Sequence, residues 1–347
     1  MKSEIKTNTK FSFIIPAFNA ESTIERAITS ISSRMDDYEI IVVENGSVDR
    51  TTETVERIAR QNKQVRVTHS EKGVSRARNR GLKEASGEWL IFCDADDEWI
   101  VDESILSPLA DNLQASDLIV CSYQKGNKHT IHSYKQMNSV MHDGEKKAVF
   151  EWMLTRPTLR MTVWAKLFKR ETVVAQGIVF DESLRLSEDA DFLISFIKNS
   201  RSIAVSDIEI YRYCTDTPSV VRSHDKTRID GYLTALDAIA DRVPEELQGF
   251  TDFVIAHLNL ICVHNIFTTG NKMNGSERKE ELKRVLNNQT IKSAVSMMGI
   301  KDMADLNRIP AVLFKRKMYR AGGIVCYTKA LMNKRNEVQS SKKRKQS

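Results

Sequence analysis

The first hundred residues alternate short apolar runs with segments of helical spacing, and that rhythm leaves few folds open. Phe11 to Ile15 form an apolar run stopped by Pro16, which suits a buried parallel strand. Ile24, Ala27, Ile28 and Ile31 then fall at helical spacing, with Glu21 and Glu25 near the start, where a helix dipole favours acids. A second apolar run, Glu39 to Val43, ends at Glu44-Asn45-Gly46-Ser47. Val55, Ile58 and Ala59 mark a helix over Thr51 to Gln61, and Val65 and Val67 a third strand. Ser75 to Ala85 read as a helix ended by Gly87, and Trp89 to Cys93 as a fourth strand ending at Asp94. The pattern predicts an α/β fold: a Rossmann-like, mostly parallel sheet flanked by helices. Ligands of such sheets bind beyond the carboxyl ends of the strands. Those ends carry Pro16-Ala17-Phe18-Asn19, Glu44-Asn45-Gly46-Ser47 and Asp94-Ala95-Asp96-Asp97, three polar turns that converge on one crevice.

The alternation weakens after residue 110. Residues 118–123 and 203–213 read as further strands, and from Asp225 onward the chain reads as helices. The expected organisation is an α/β domain over 1–224, a helical C-terminal region over 225–338 and a basic disordered tail over 339–347. The five cysteines, at 93, 121, 214, 262 and 326, form no CxxC pair, so neither a disulfide framework nor a zinc knuckle is indicated. That fits a reducing, cytoplasmic setting. The N-terminal MKSEIKTNTK lacks the apolar core of an export signal. The most apolar stretch, Phe250 to Phe267, is interrupted by Asp252, His257, Asn259, His264 and Asn265 and reads as a buried helix.

Charge is uneven. From Lys315 to Ser347 there are eleven Lys or Arg residues against Glu337 alone, so the remainder carries −4 of an overall +6. Within 311–335 these cations mix with Val312, Leu313, Phe314, Met318, Tyr319, Ile324, Val325, Leu331 and Met332. Such a segment suits an anionic membrane surface, with the protein peripheral at the inner face of the plasma membrane. The other reading is a packed helix with a solvated basic face. A tail without interleaved base-stacking motifs argues against a nucleic-acid partner. A nicotinamide-dependent oxidoreductase needs G-x-G-x-x-G after the first strand, and Pro16-Ala17-Phe18-Asn19 stands there instead.

The acidic turn Asp94-Ala95-Asp96-Asp97 reads either as a solvated loop or as a metal site. Mg²⁺ and Mn²⁺ take one or two carboxylates and complete their shells with substrate phosphates. On the second reading Asp94 and Asp96 supply such a pair, and the metal would bridge protein and diphosphate.

Several strings make a more specific pattern. Phe13-Ile14-Ile15-Pro16-Ala17-Phe18-Asn19, Gly73-Val74-Ser75-Arg76-Ala77-Arg78-Asn79-Arg80-Gly81, and Ala85 through Asp97 follow one another. Trp164-Ala165-Lys166-Leu167-Phe168-Lys169-Arg170 and Glu188-Asp189-Ala190-Asp191-Phe192 come later. In content and order they resemble the motifs of the family 2 glycosyltransferases, over residues 11 to about 222. The resemblance implies the GT-A fold, a nucleotide-sugar donor, most often a UDP-sugar, and a role in cell-surface polysaccharide synthesis. It implies that Pro16, Ala17, Phe18, Asn19, Glu44 and Asn45 border the nucleoside, with Arg78 near the base or diphosphate. Asp94 and Ala95 would lie beside the ribose, and Asp96 would be the principal metal ligand, with Asp94 its partner. Where the family usually has two aspartates this chain has Glu44-Asn45, and Glu44 still offers an acceptor to a uracil N–H.

Asp189 is the candidate general base for an acceptor hydroxyl, the other reading being an acid that complements the helix N-terminal dipole. With Phe192, Leu193 and Phe196 it falls on one helical face, which is otherwise apolar. Glu188 and Asp97 are expected to orient neighbours, and Asp191 to face solvent. Trp164 and Lys166 either touch the acceptor or line the donor site, or Trp164 simply packs. Ser219, Arg222 and His224 follow a strand as a loop that either closes over the diphosphate, with His224 a further metal ligand, or is merely basic and solvated. The acceptor is a glycan or a lipid-linked molecule, and a catalytically silent sugar-nucleotide binder is the alternative.

Overall fold

The computed structural model describes residues 10–126, 128–130, 134, 138–215, 227–243, 247, 249–268, 270–271 and 273–344, with backbone alone at 130 and 336–344. The chain divides into two compact units. One comprises Met1–Phe150, Thr162–Ser183 and Glu188–Pro218; the other comprises Glu151–Met161, Leu184–Ser187 and Ser219–Ser347. The short excursions 151–161 and 184–187 join the helical unit, a division the strand–helix rhythm does not mark.

The first unit is built on one sheet. Its strands are β1 Phe11–Ala17, β2 Tyr38–Glu44, β3 Val65–His69, β4 Trp89–Phe92, β5 Glu98–Trp99, β6 Leu118–Lys125, β7 Lys128–Thr130, β8 Val140–His142, β9 Lys166–Lys169 and β10 Ser202–Tyr213. Its helices are α1 Ile24–Ser32, α2 Thr51–Gln61, α3 Val74–Glu84, α4 Glu103–Asn112, α5 Asp143–Leu154, α6 Pro157–Arg160, α7 Arg170–Gln176 and α8 Glu188–Asn199, of which α6 and the end of α5 fall in the second unit. The main strand order is β3-β2-β1-β4-β9-β6-β10-β5. β3, β2, β1 and β4 are mutually parallel, as are β6 and β10. β9 runs antiparallel between β4 and β6.

This order places a topological switch at β1. The chain moves outward from β1 to β2 and β3, then returns to lay β4 on the other side of β1. A crevice opens at such a point beyond the strand ends. Helices cover both faces of the sheet. Phe11, Phe13 and Ile15 pack with Ile24, Ile28 and Ile31 of α1. Ile14, on the opposite face, meets α3 at Gly81, where a Cβ would lie 2.3 Å from Ile14 Cγ2.

The second unit contains α9 Thr227–Ala240, α10 Gly249–Leu260, α11 Gly275–Asn287, α12 Gln289–Met297, α13 Ile309–Lys315 and α14 Tyr319–Arg344. A π-helical turn, Ile261–Ile266, extends α10, so Phe250 to Phe267 is largely helical and its core side chains are buried. His257 on α10 is buried: its Nδ1 lies 2.8 Å from Phe253 O and its Nε2 3.0 Å from Ser187 Oγ. The carbonyl can only accept, so Nδ1 carries the proton and Nε2 accepts from the hydroxyl. Burial lowers this imidazole to about 4.

The tail expected to be disordered from residue 339 is helical as far as Arg344. After Gly323 it contains neither Gly nor Pro, and its Lys, Arg and Gln residues are good helix formers. Among the described residues no helix is long and apolar enough to cross a membrane.

Candidate active site

The loops after β1 and β2 are tied to each other before any ligand arrives. Asn19 adopts a left-handed φ of 49°. Its N–H donates to Ser47 Oγ at 3.0 Å, and its Oδ1 accepts from Val48 N–H at 2.9 Å. Ala20 N–H donates to Thr51 Oγ1 at 2.7 Å, and Glu21 N–H to Asp49 Oδ2 at 3.1 Å. Arg50 N–H returns a bond to Glu21 Oε2 at 3.0 Å. Glu44 turns one oxygen onto the Gly46 and Ser47 N–H groups, at 2.9 and 2.5 Å, and its other oxygen lies 3.4 Å from His69 Nδ1. Burial pushes its carboxyl up, but the bonds from Ser47, His69 and Gly46 outweigh that and hold it below the usual range. Asn45 is buried and donates its N–H to Ala17 O at 3.1 Å, while its buried Oδ1 meets no hydrogen-bond donor among the described residues. Phe18 is 40% exposed, with Lys72 Nζ 4.4 Å from its ring centroid.

The acidic turn after β4 is held from two sides. Asp97 N–H closes it onto Asp94 O at 3.1 Å. Asp97 is only 1% exposed and accepts from Tyr211 Oη at 2.6 Å and from Cys214 N–H at 2.7 Å. Tyr211 Oη in turn accepts from Asp94 N–H at 3.1 Å. Burial, and then the charge of Asp94, raise the Asp97 carboxyl well above the ordinary range. Asp97 thus anchors the turn to β10. Arg26 of α1 donates to Asp96 O at 2.5 Å, and Ala95 is buried.

One guanidinium joins this turn to α8. Arg78 of α3 is 4% exposed. Its Nη1 lies 2.5 Å from Asp189 Oδ1 and 3.2 Å from Glu188 Oε1, and its Nη2 lies 3.3 Å from Asp94 Oδ1. The Phe180 ring centroid lies 5.3 Å from the guanidinium carbon. Burial disfavours this charge, but Asp189, Asp94 and Glu188 outweigh it and raise the Arg78 pKa. Burial raises Asp94, with Arg78 opposing; 31% of that side chain stays exposed, so water tempers the shift. Glu188 is raised by burial and then by Asp189. Asp189 Oδ2 also accepts from Val163 N–H at 3.3 Å, which fixes the carboxylate plane.

Trp164 is 8% exposed. It stacks on Tyr211 at 5.0 Å and on Tyr213 at 5.8 Å, and meets Tyr123 edge-on at 4.6 Å. Ala165 follows with a φ of 56°, a costly conformation for alanine. The turn carries the chain from a parallel bridge, Phe92 to Trp164, into antiparallel β9. Lys166 is then 1% exposed, its Nζ 3.5 Å from Trp164 O, and burial lowers it to about 7 against the pull of Asp189 and Cys121.

The structure therefore brings Asn19, Glu44 and Asn45 together at one set of strand ends, and Arg78, Asp94, Glu188 and Asp189 at another. His224, Ser219 and Arg222 lie outside the described residues. Asp191, expected to face solvent, is fully buried, because α8 is enclosed nearly all round. Sequence reasoning missed Arg26 and Tyr211 as the groups that hold the turn. A lone Tyr at the end of a long strand and a lone Arg on a helix carry no spacing signal. The buried Asp97 does have one: it adds a third carboxylate to the acidic turn.

Whether a divalent cation suits the turn is a question of charge. Asp94, Asp96, Asp97, Glu188 and Asp189 face Arg78 and a weakened Lys166, and mutual repulsion contributes to raising Asp94, Asp97 and Glu188. Among the described residues no group of three or more His, Cys, Asp or Glu side chains forms a cage. Two hard carboxylates in an electronegative turn, short of a full shell, fit a cation that takes its remaining ligands from phosphate.

Comparison with known proteins follows the same lines. The profile of glycosyl transferase family 2 matches residues 12–172. EpsH of Bacillus subtilis (strain 168) is 24% identical over 271 residues, 75% of this chain and 78% of that one. The uncharacterized glycosyltransferase EpsJ of the same organism is 29% identical over 231 residues, 64% of this chain and 66% of that one. Among solved structures, S. aureus TarS 1-349 in complex with UDP-GlcNAc superposes with a TM-score of 0.63 at 21% identity, covering 94% of this chain and 92% of that one. TarS carries the name poly(ribitol-phosphate) beta-N-acetylglucosaminyltransferase. The shared architecture is the GT-A fold, with its central sheet flanked by helices and a helical C-terminal region. Over residues 12–172 the chain thus resembles glycosyl transferase family 2, and its relatives and shared fold mark it as a glycosyltransferase.

Proposed function

We propose that the protein is an inverting glycosyltransferase that moves a sugar from a UDP-sugar to an acceptor hydroxyl during synthesis of a cell-surface polysaccharide. The observation that carries this reading is the Arg78 bridge. A single buried guanidinium ties Asp94, in the turn proposed to hold the donor, to Asp189, the proposed base. Donor site and base are thereby held in one geometry, which is what direct displacement needs.

Phe18, Asn19, Glu44 and Asn45 border the nucleoside, with the Pro16–Ala17 strand end beneath them. Glu44 already caps its own turn, so it presents a fixed acceptor to the uracil edge. Asp94 and Asp96 would hold Mn²⁺ or Mg²⁺, which supplies positive charge against the diphosphate when bound. Asp189 accepts the proton of the acceptor hydroxyl as its oxygen bonds to the anomeric carbon. The bond from that carbon to the diphosphate breaks on the opposite face, and the electron pair leaves with the UDP. Arg78 keeps Asp189 oriented and adds positive charge on the diphosphate side. Nothing need protonate the leaving group, unlike the paired-carboxylate layout of a glycosidase. A UDP-GlcNAc-bound neighbour of the same fold supports a UDP-sugar donor. A glycan or lipid-linked acceptor is in keeping with a neighbour named for transfer to a poly(ribitol-phosphate) chain, with the enzyme at the cytoplasmic face of the plasma membrane.

Calorimetry with UDP and Mn²⁺, alongside a transfer or donor-hydrolysis assay, tests the assignment. Asp189→Asn should bind UDP as the parent does and lose turnover. Asp96→Ala should lose metal-dependent UDP binding. Parental turnover in Asp189→Asn, or full activity in excess chelator, would overturn it.

A further inference from the structure

Helix α14 turns its smallest side chains inward. Gly322, Gly323, Cys326 and Ala330 are buried. Neither glycine has room for a Cβ: at 322 it would lie 2.3 Å from the Phe314 ring, and at 323 2.7 Å from the Phe267 ring. Arg320, Ile324, Tyr327, Leu331 and Arg335 recur at steps of three and four, so they share the opposite face. There Ile324 is 66% exposed and Tyr327 41%, with Met332 at 59% beside them. A surface helix ordinarily places polar residues on that side, and a contiguous exposed apolar stripe marks an interaction surface. Both faces of this helix are apolar, one with small and one with large side chains, so the sequence shows no amphipathic contrast. The structure also narrows the segment's apolar set, because Val312, Leu313 and Phe314 are buried on α13.

Cations frame the stripe. Arg316, Lys317 and Arg320 are exposed at its leading end, and Lys334 and Arg335 at its far end, about 22 Å along the helix. No acidic residue occurs between Lys315 and Arg335. The first turn of α14 has no acid either, although the helix dipole would favour one there. Helix stability therefore does not explain the placement of Arg320. The charge does match a negative surface. A second copy of this chain would bring two such cationic frames face to face, which opposes self-association.

We propose that the outward face of α14, Ile324, Tyr327 and Leu331 framed by Arg320, Lys334 and Arg335, lies flat on an anionic lipid bilayer. The apolar stripe enters the headgroup boundary and the cations meet lipid phosphates. This goes beyond the transfer reaction and involves none of its residues.

The test is co-sedimentation of the full chain with vesicles of phosphatidylglycerol mixed into phosphatidylcholine, against phosphatidylcholine alone. The parent should pellet with the anionic vesicles and release at high salt. Arg320→Glu with Arg335→Glu should lower partitioning at least about tenfold, since each cation at such a surface contributes about fivefold. Ile324→Ser, Tyr327→Ser and Leu331→Ser combined should abolish binding, while UDP binding and the thermal transition stay parental. Equal pelleting with both vesicle types, or variants that pellet like the parent, would overturn the proposal. So would a dimer, seen by sedimentation velocity without lipid, that the serine variant dissolves, because the face would then belong to a second copy. Loss of donor turnover with vesicle binding intact would instead count against the proposed reaction alone.

Discussion

Replacing Arg78 with methionine removes one buried cation from among three carboxylates, and its effect should depend on pH. Arg78 makes contacts of 2.5, 3.2 and 3.3 Å with Asp189, Glu188 and Asp94. Removing one member of a buried charge network costs about 3–5 kcal/mol, because its partners stay buried without compensation. In a unit of roughly 200 residues, about 4 kcal/mol lowers Tm by about 12 °C. The carboxyls can relieve part of this by taking up protons. Arg78 lowers the proton affinity of both Asp94 and Glu188. Without it, their native-state pKa values rise further above the unfolded ones, so the native variant binds more protons than the native parent. Its stability therefore falls more steeply as pH rises. The Tm deficit should be largest near about pH 8 and shrink to roughly half near about pH 5.5. Thermal unfolding of parent and Arg78→Met across that range measures it. Arg57→Met, which removes the exposed pair with Glu25, serves as the control and should change stability by less than about 0.5 kcal/mol. A deficit that is the same at both ends of the range would refute the coupling of Arg78 to these carboxyls.

Three further outcomes are expected. Asp97→Asn keeps an acceptor for Cys214 N–H but not the full anchor; it should weaken UDP binding, and its stability should lose the parental decline as pH rises through the raised Asp97 pKa, with parental behaviour in both refuting the anchoring role. Gly81→Ala should cost about 1–3 kcal/mol in urea unfolding, because its Cβ would strike Ile14 between α3 and β1; an unchanged midpoint would show that the two can separate freely. His257 is held neutral, so its contribution is present above about pH 6.5 and is lost towards about pH 4, at about 1.4 kcal/mol per pH unit. His257→Gln cannot titrate and should flatten that acid limb, as followed by circular dichroism; an unaltered limb would move the acid sensitivity elsewhere.

Much of the proposed donor side is legible in the sequence, because apolar strands and polar strand ends are local features. The β1, β2 and β4 runs announce themselves, and with them the turns at Asn19, Glu44 and Asp94. The join between these turns and α8 is less so. Arg78 and Asp189 are far apart along the chain, and only the fold sets them 2.5 Å apart. Lys166 sits in a short strand whose flanking lysines suggest an exposed edge, yet β9 is inserted between β4 and β6 and its first lysine is buried. Asp191 misleads for a related reason: periodicity gives a helix one inner face, whereas α8 has hardly any outer one.

The cross-bonded loops after β1 and β2 have a consequence for how donor preference can change. Asn19 and Ser47 satisfy each other's strand ends, and Glu21 and Asp49 do the same one step further out. These bonds are exposed, so a substitution in one loop leaves its partner in the other to water and frees that loop to move. If the loops border the nucleoside as proposed, a single change on one side would also loosen the other, and new preferences would be reached by exchanging residues in matched pairs. Such a pocket would resist drift one residue at a time and yield to coordinated replacement.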